Sequence, residues 1–283
     1  MLPYQILKTH YSHSRDNNIA FEEKEHKYTI LTDTQSKYTS VTTFIHSHFP
    51  KFDPDKIIDK MMKSKSWKEG HKYWNKSSEE IKKEWTNNGS SVSQLGTSLH
   101  FQIECFMNNP NLKKGYTHND LLNHYYQTQS EEIPTKEWNY FIQFIHNFPH
   151  LKPFRTEWTI YNEDLKLAGS IDMVYINPDD TLSIYDWKRV KNISRVNTFD
   201  KYAITESICH VPDTNFWHYA IQLNMYKTLL ELKYNKKVTE LYLVRLHPDT
   251  EENTYELIAI PLLDQEINDL LKERMNYLLK NAL

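Results

Sequence analysis

The stretch "LAGSIDMVYINPDDTLSIYDWKRV", residues 167–190, sets two strand-like runs on either side of a turn. Val, Ile and Tyr fill both runs, and "NPDD" is a turn signal between them. Each run nevertheless carries an aspartate, Asp172 in the first and Asp186 in the second, and Lys188 follows two residues later. Side chains alternate across a strand, so Asp186 and Lys188 share a face while Tyr185 and Trp187 take the other. If "NPDDT" closes a hairpin, Asp172 and Asp186 meet near one end of the sheet, with the register open to the residue. Two carboxylates held together in a core repel, and burial adds to the cost of ionising them. A divalent cation relieves both, and Mg²⁺ takes hard oxygen ligands, few of them from protein. The lysine would hold or acidify an attacking water and offset charge on a phosphorus-centred transition state. The plain alternative is a salt-bridged hairpin, because D-x-K triplets on strands are common.

The chain around this stretch has 283 residues and a formal net charge of −3. That is enough for one large domain or two small ones, with a sizeable core. The overall charge neither favours nor opposes a nucleic-acid partner, which would need local basic patches. No run of roughly 18 apolar residues occurs, so no membrane span is expected. The opening "MLPYQILKTHYSHSRD" lacks the apolar region of a secretory signal, so an intracellular, unsecreted protein is expected. Cys105 and Cys209 stand alone, which excludes a disulfide framework, a zinc ribbon and a four-cysteine iron–sulfur cluster within one chain. Glycine is scarce at five residues, and Gly96 and Gly169 both fall in motifs, where the lack of a side chain is expected to matter.

Residues 20–45 read as a hairpin: Tyr28 and Ile30 alternate with polar residues, "TDTQS" supplies the turn and a β-branched run follows. Residues 53–86 are lysine-rich, with Ile57, Ile58, Met61 and Met62 at helical spacing. A helix over 89–108 would place Val92, Leu95, Leu99, Ile103 and Phe106 on one side. "NNPNLKKGYTHND" reads as a loop and 135–148 as a helix. Strand period then covers "RTEWTIY" and the two runs quoted above. Residues 215–234 read as an amphipathic helix, "TELYLVRL" and "TYELIAIPL" as strands, and a last helix begins near Asp264.

Two further motifs bear on the carboxylates. "LGTSLHFQIE" puts His100 and Glu104 four residues apart on one helix face, with Gly96 a turn earlier where it would allow close backbone approach. "IQLNMY" gives Gln222 and Tyr226 the same spacing, an amide and a phenol for a phosphate or base. Alone, each is an ordinary helix face. In order, GTxxH with a following Glu, GxxD, DxK and QxxxY resemble the RecB-like branch of the PD-(D/E)XK nucleases. That branch includes lambda-exonuclease-type enzymes and the CRISPR-adaptation nucleases. The match covers about residues 96–226, and "SVTTFIHSHFPKFD" upstream resembles openings of phage and large-virus members.

The order of elements suggests one compact α/β domain, with a hairpin and helical N-terminal elaboration over 1–88 packed on a core over 89–283. For that core the resemblance implies a central mixed β-sheet flanked by helices. It implies Mg²⁺- or Mn²⁺-dependent cleavage of DNA, by an exonuclease acting on double-stranded ends or single strands, in repair or recombination. By position, His100, Asp172, Asp186 and the backbone carbonyl of Trp187 match metal ligands. Glu157 or Glu104 matches an additional acidic ligand, and Lys188 matches the catalytic lysine. Gln222 and Tyr226 match the helix that positions nucleic acid, and Arg189, Lys191 and Arg195 add positive charge after the active strand. The region 51–83 interleaves lysines with Trp67, Tyr73 and Trp74, a pattern suited to exposed bases as well as to a solvated helix. A homo-oligomer and a recombination or single-strand-binding partner are compatible with the resemblance. Two other functions remain open: a structure-specific or RNA-directed nuclease with the same site, and an inactive nucleic-acid-binding module. The chain lacks the iron–sulfur cysteines of some relatives and has no P-loop.

Overall fold

The structure, a computed structural model, describes residues 5–128, 135–197 and 199–281. Residues 1–50 and 100–283 form one compact unit, and residues 51–99 form a second. Among the described residues no helix is long and apolar enough to cross a membrane.

The larger unit is built on the quoted hairpin, whose strands are β5 (Leu167–Ile176) and β6 (Leu182–Lys188). Met173, Val174, Tyr175 and Ile184 are fully buried. Strands covered on both faces run apolar without alternation, as these do. β4 (Lys152–Asn162) pairs antiparallel with β5 along its whole length. β6 also pairs in parallel with β7 (Val238–Arg245), and β8 (Glu256–Ala259) closes that side antiparallel. A parallel pair needs a crossover. Here it contains α7 (Asn215–Lys233), which packs on the sheet and against α2 (Val41–His46) and α8 (Asp264–Asn281). Neighbours on several sides make α7 apolar around most of its circumference, with Phe216, Ala220, Ile221, Leu223 to Tyr226, Leu229 and Leu230 buried. It is therefore not the amphipathic helix expected. The sheet is mixed and flanked by helices, as the α/β reading requires.

The remaining strand of this sheet, β3 (Thr39–Ser40), sets up the site. It pairs in parallel with Leu167 and Ala168 of β5, while β6 pairs with residues 173–176. Because β4 occupies one edge of β5 throughout, β3 and β6 must share the other. Residues 169–172 are left between them, and the sheet splits there with Asp172 at the rim.

Several local expectations change. The hairpin of β1 (Ile19–Glu22) and β2 (Lys27–Ile30) turns through residues 23–26, with His26 at a φ of 49°, so "TDTQS" lies beyond it. The β-branched run after it is mostly helix α2, because the Ser40 side chain caps the Thr43 N–H at 3.0 Å. The loop read over 108–120 ends early, where α5 (His118–Thr128) begins. The helix expected from residue 89 is α4 (Ser78–Met107), with Val92 and Leu95 exposed. α6 (Lys136–Asn147) lies where a helix was read, and a short α1 (Ile6–His10) precedes β1.

In the smaller unit, α3 (Pro54–Met62) starts at an Asp53 cap that accepts from the Lys56 N–H. Trp85 donates to the Tyr73 hydroxyl at 2.9 Å, and Trp67 packs edge-on against Trp74.

Candidate active site

One step past the last paired rung, Met173–Tyr185, the hairpin register sets Asp172 opposite Asp186. The strands diverge there, and the ladder bond is replaced: the Trp187 N–H donates to Asp172 Oδ2 at 3.0 Å. Burial, and behind it the neighbouring Glu157, raise the Asp172 carboxyl against the pull of His100 and Lys188. Asp186 is 3% exposed, with Oδ2 2.6 Å from Lys188 Nζ. Burial pushes Asp186 up to about 6, outweighing the lysine's attraction. At Lys188 the balance reverses: burial opposes the charge, but Asp186 and Asp172 together raise the ammonium above its ordinary value. Lys188 is thus held protonated.

His100 comes from α4, whose helical spacing brings it to the gap. Its Nε2 lies 2.9 Å from the Trp187 carbonyl oxygen. A carbonyl only accepts, so Nε2 carries the proton and Nδ1 of the neutral ring is left with the lone pair. Nδ1 faces Asp172 Oδ2 at 3.5 Å and Glu157 Oε1 at 3.9 Å. Burial disfavours the imidazolium, but Asp172 and then Glu157 outweigh it and carry His100 up to about 9. Protons therefore occupy the ring where no other cation neutralises the carboxylates.

Glu157 sits in β4 at the level of Asp172, with a φ of 42°. The left-handed region is costly for a residue with a side chain, and costlier inside a strand. Its carboxylate is turned to His100 and held by Ser170 Oγ, which donates to Oε2 at 3.0 Å. His100, Glu157 and Asp172 offer three ligand atoms within 4.8 Å of one another and could hold a metal ion. The donor set fits one: an imidazole lone pair and two carboxylates converge, and the raised His100 value reflects the negative charge of Asp172 and Glu157.

Of the expected ligands, the three-atom group brings together His100, Asp172 and Glu157. Asp186 stands outside the three-atom group, on Lys188. The Trp187 carbonyl accepts from His100 and orients the ring. Glu104 also stands outside the group; burial, then Glu157 and Glu23, push it up to about 7.

On α7, Gln222 Nε2 donates to the Tyr226 hydroxyl at 3.1 Å. Tyr226 is 4% exposed, which leaves its ring no face for a base. It lies against Gly169, where an added Cβ would be 2.6 Å from Tyr226 Cε1. Gly96 has no such role, since a Cβ there meets nothing within 4 Å. Arg189 is tied to Glu137 at 2.8 Å, and Lys191 lies 3.6 Å from Asp249. The Arg195 guanidinium stacks 4.4 Å from the Phe216 ring centre. Thr198, within the basic segment 188–201, lies outside the described residues.

Three further residues stand beside the site, outside the motifs quoted from the sequence. Tyr219, one turn before Gln222 on α7, places its ring 4.6 Å from Lys188 Nζ; the i, i+3, i+7 series Tyr219, Gln222, Tyr226 was its signal. Tyr28 is 8% exposed, and burial followed by Glu157 and Asp172 raises its phenol. Ser170, the third, had no signal of its own.

No protein-family model matches the chain, and no curated protein matches it in sequence. Among solved structures it is similar to a "Putative exonuclease" from Eubacterium rectale, with 11% identity and a TM-score of 0.32, over 57% of this chain. The chain spans 59% of that protein's length. It is also similar to SSO0001, with 14% identity and a TM-score of 0.31, over 98% of this chain and 86% of that one. Likenesses of this size carry nothing for the chemistry, which stands on the site's own geometry.

Proposed function

We propose that the chain is a Mg²⁺- or Mn²⁺-dependent deoxyribonuclease, an exonuclease hydrolysing phosphodiester bonds at the gap between β3 and β6. The observation that carries this is the meeting of His100 Nδ1, Glu157 and Asp172 beside a half-buried, protonated Lys188. A divalent ion held by those three residues would polarise a phosphoryl oxygen and acidify water. Mn²⁺ suits the imidazole better than Mg²⁺ does.

The chain's own groups supply the rest. Lys188 is protonated and cannot serve as a base; it offers N–H donors and positive charge to oxygens that become more negative in the transition state. Asp186 fixes the ammonium at 2.6 Å, and the Tyr219 ring covers it. Trp187 orders both partners of the cluster, its N–H on Asp172 and its carbonyl on His100. The half-buried Gln222 amide donates to the Tyr226 hydroxyl, and its oxygen would accept from a donor on the substrate.

The test is digestion of end-labelled linear and closed circular DNA across a titration of Mg²⁺ and Mn²⁺. An exonuclease shortens the linear substrate from its ends and spares the circle. Cutting of the circle, or of RNA alone, would make it an endonuclease or a ribonuclease with the same site. Binding without cutting under every metal would leave a nucleic-acid-binding module.

A further inference from the structure

Away from the gap, a cavity of about 290 Å³ opens between the N-terminal segment and the β4 flank. Its polar lining is His10, Ser12, His13, Lys114 and Lys236, and among the described residues no carboxylate lines it. Among the described residues, neither lysine makes an ion pair. Each ammonium rests on a ring instead: Lys114 Nζ is 4.5 Å from the centre of Tyr11, and Lys236 Nζ is 5.2 Å from that of Phe154. The nearby acid Asp16 is already compensated. It accepts from Arg155 at 2.8 Å, from Trp158 Nε1 at 3.0 Å and from the His13 N–H at 2.9 Å. His10, a lining residue, has its Nδ1 shielded from solvent and without a hydrogen-bond partner among the described residues.

An exposed and a half-buried lysine without ion pairs, two histidines and a serine thus line one concavity together with Phe154 and Trp158. A neutral ligand would leave both ammonium groups without a counter-charge, and a cation would be repelled. An ammonium is a compact point charge suited to phosphate oxygens, and charge-assisted bonds of this kind are the strong ones. We propose that the cavity is a binding site for a phosphate group, presented as free phosphate or on a nucleotide. The site shares only β4 with the gap and none of its side chains, so it stands or falls independently of the nuclease reading.

Calorimetric titration in the presence of a chelator isolates it, because the metal-free carboxylate cluster attracts no anion. Inorganic phosphate, adenosine monophosphate and adenosine are the probes. Saturable one-to-one binding of phosphate or the monophosphate is expected. Lys114→Gln and Lys236→Gln should each weaken it about tenfold, as expected for loss of one charge-assisted contact. The double variant should abolish it, while Asp172→Asn leaves it intact. Tighter binding of the monophosphate, with adenosine silent, identifies a nucleotide as the source; equal binding identifies free phosphate. No saturable binding of either anion, or affinities unchanged in both lysine variants, would overturn the assignment.

Discussion

Lys188 and Glu157 show how single residues are committed to the site at a cost to the fold. Lys188 is half-buried, paired with the buried Asp186 at 2.6 Å, and takes no part in the His100–Glu157–Asp172 group. Lys188→Ala should therefore lower DNA cleavage roughly 10²–10³-fold, the usual loss for one transition-state donor, with Mn²⁺ affinity by calorimetry unchanged. Cleavage within a few-fold of the parent would remove the lysine from the mechanism. Glu157 makes a different prediction, because its backbone sits at a φ of 42°. Alanine normally suits a strand better than glycine does, but only glycine occupies this region without penalty. Glu157→Gly should melt above Glu157→Ala by about 1 kcal/mol of stability, while both lose Mn²⁺ affinity. An ordinary order, alanine above glycine, would show that the strain is not present in solution. Asp172, Asp186 and Lys188 were legible because charged residues inside apolar β-runs are conspicuous. The strain at Glu157 was not, since φ leaves no mark on the identity of a glutamate.

At the scale of elements, the contact between β5 and α7 turns on one glycine. A Cβ at Gly169 would lie 2.6 Å from Tyr226 Cε1, and that ring is buried with nowhere to move. Gly169→Ala should cost about 1–3 kcal/mol, the range for overpacking a core. Removing the ring in Gly169→Ala/Tyr226→Ala should cost less than the two single losses added together. Urea melts of all four proteins give the coupling, and strict additivity would show that the two residues do not meet. Elements whose type depends on local pattern were legible: β5 and β6 from their apolar runs and turn, and α8 from its spacing. α2 was misread because its β-branched sequence favours strand, and the Ser40 cap overrides it. α7 was recognised as a helix but not as a buried one, because the partners that cover it, α2 and α8, are distant in sequence.

At the scale of the molecule, the site exists because the sheet splits. That split depends on a two-residue strand, β3, pairing with residues more than a hundred positions away, and no local pattern encodes it. Sequence could therefore place the two aspartates on neighbouring strands without locating the gap or bringing Glu157 into it. The folded chain gathers carboxylates that the unfolded chain keeps apart, so a cation that binds the gathered set must stabilise the fold. The gain follows mass action, about 2.7 kcal/mol when free ion is one hundred times its dissociation constant. For a chain of this length that corresponds to a rise of roughly 5 °C in Tm. Melting curves should thus climb with Mn²⁺ concentration, and with Mg²⁺ only at higher concentration. Asp172→Asn keeps the shape of the site and removes one of its charges. It should melt at or above the parent without metal, because burial and Glu157 already disfavour that carboxylate, and it should lose most of the metal-dependent rise. If the variant's Tm climbed with Mn²⁺ as steeply as the parent's, the ion would be binding elsewhere, and the cluster at the gap would not be the metal centre.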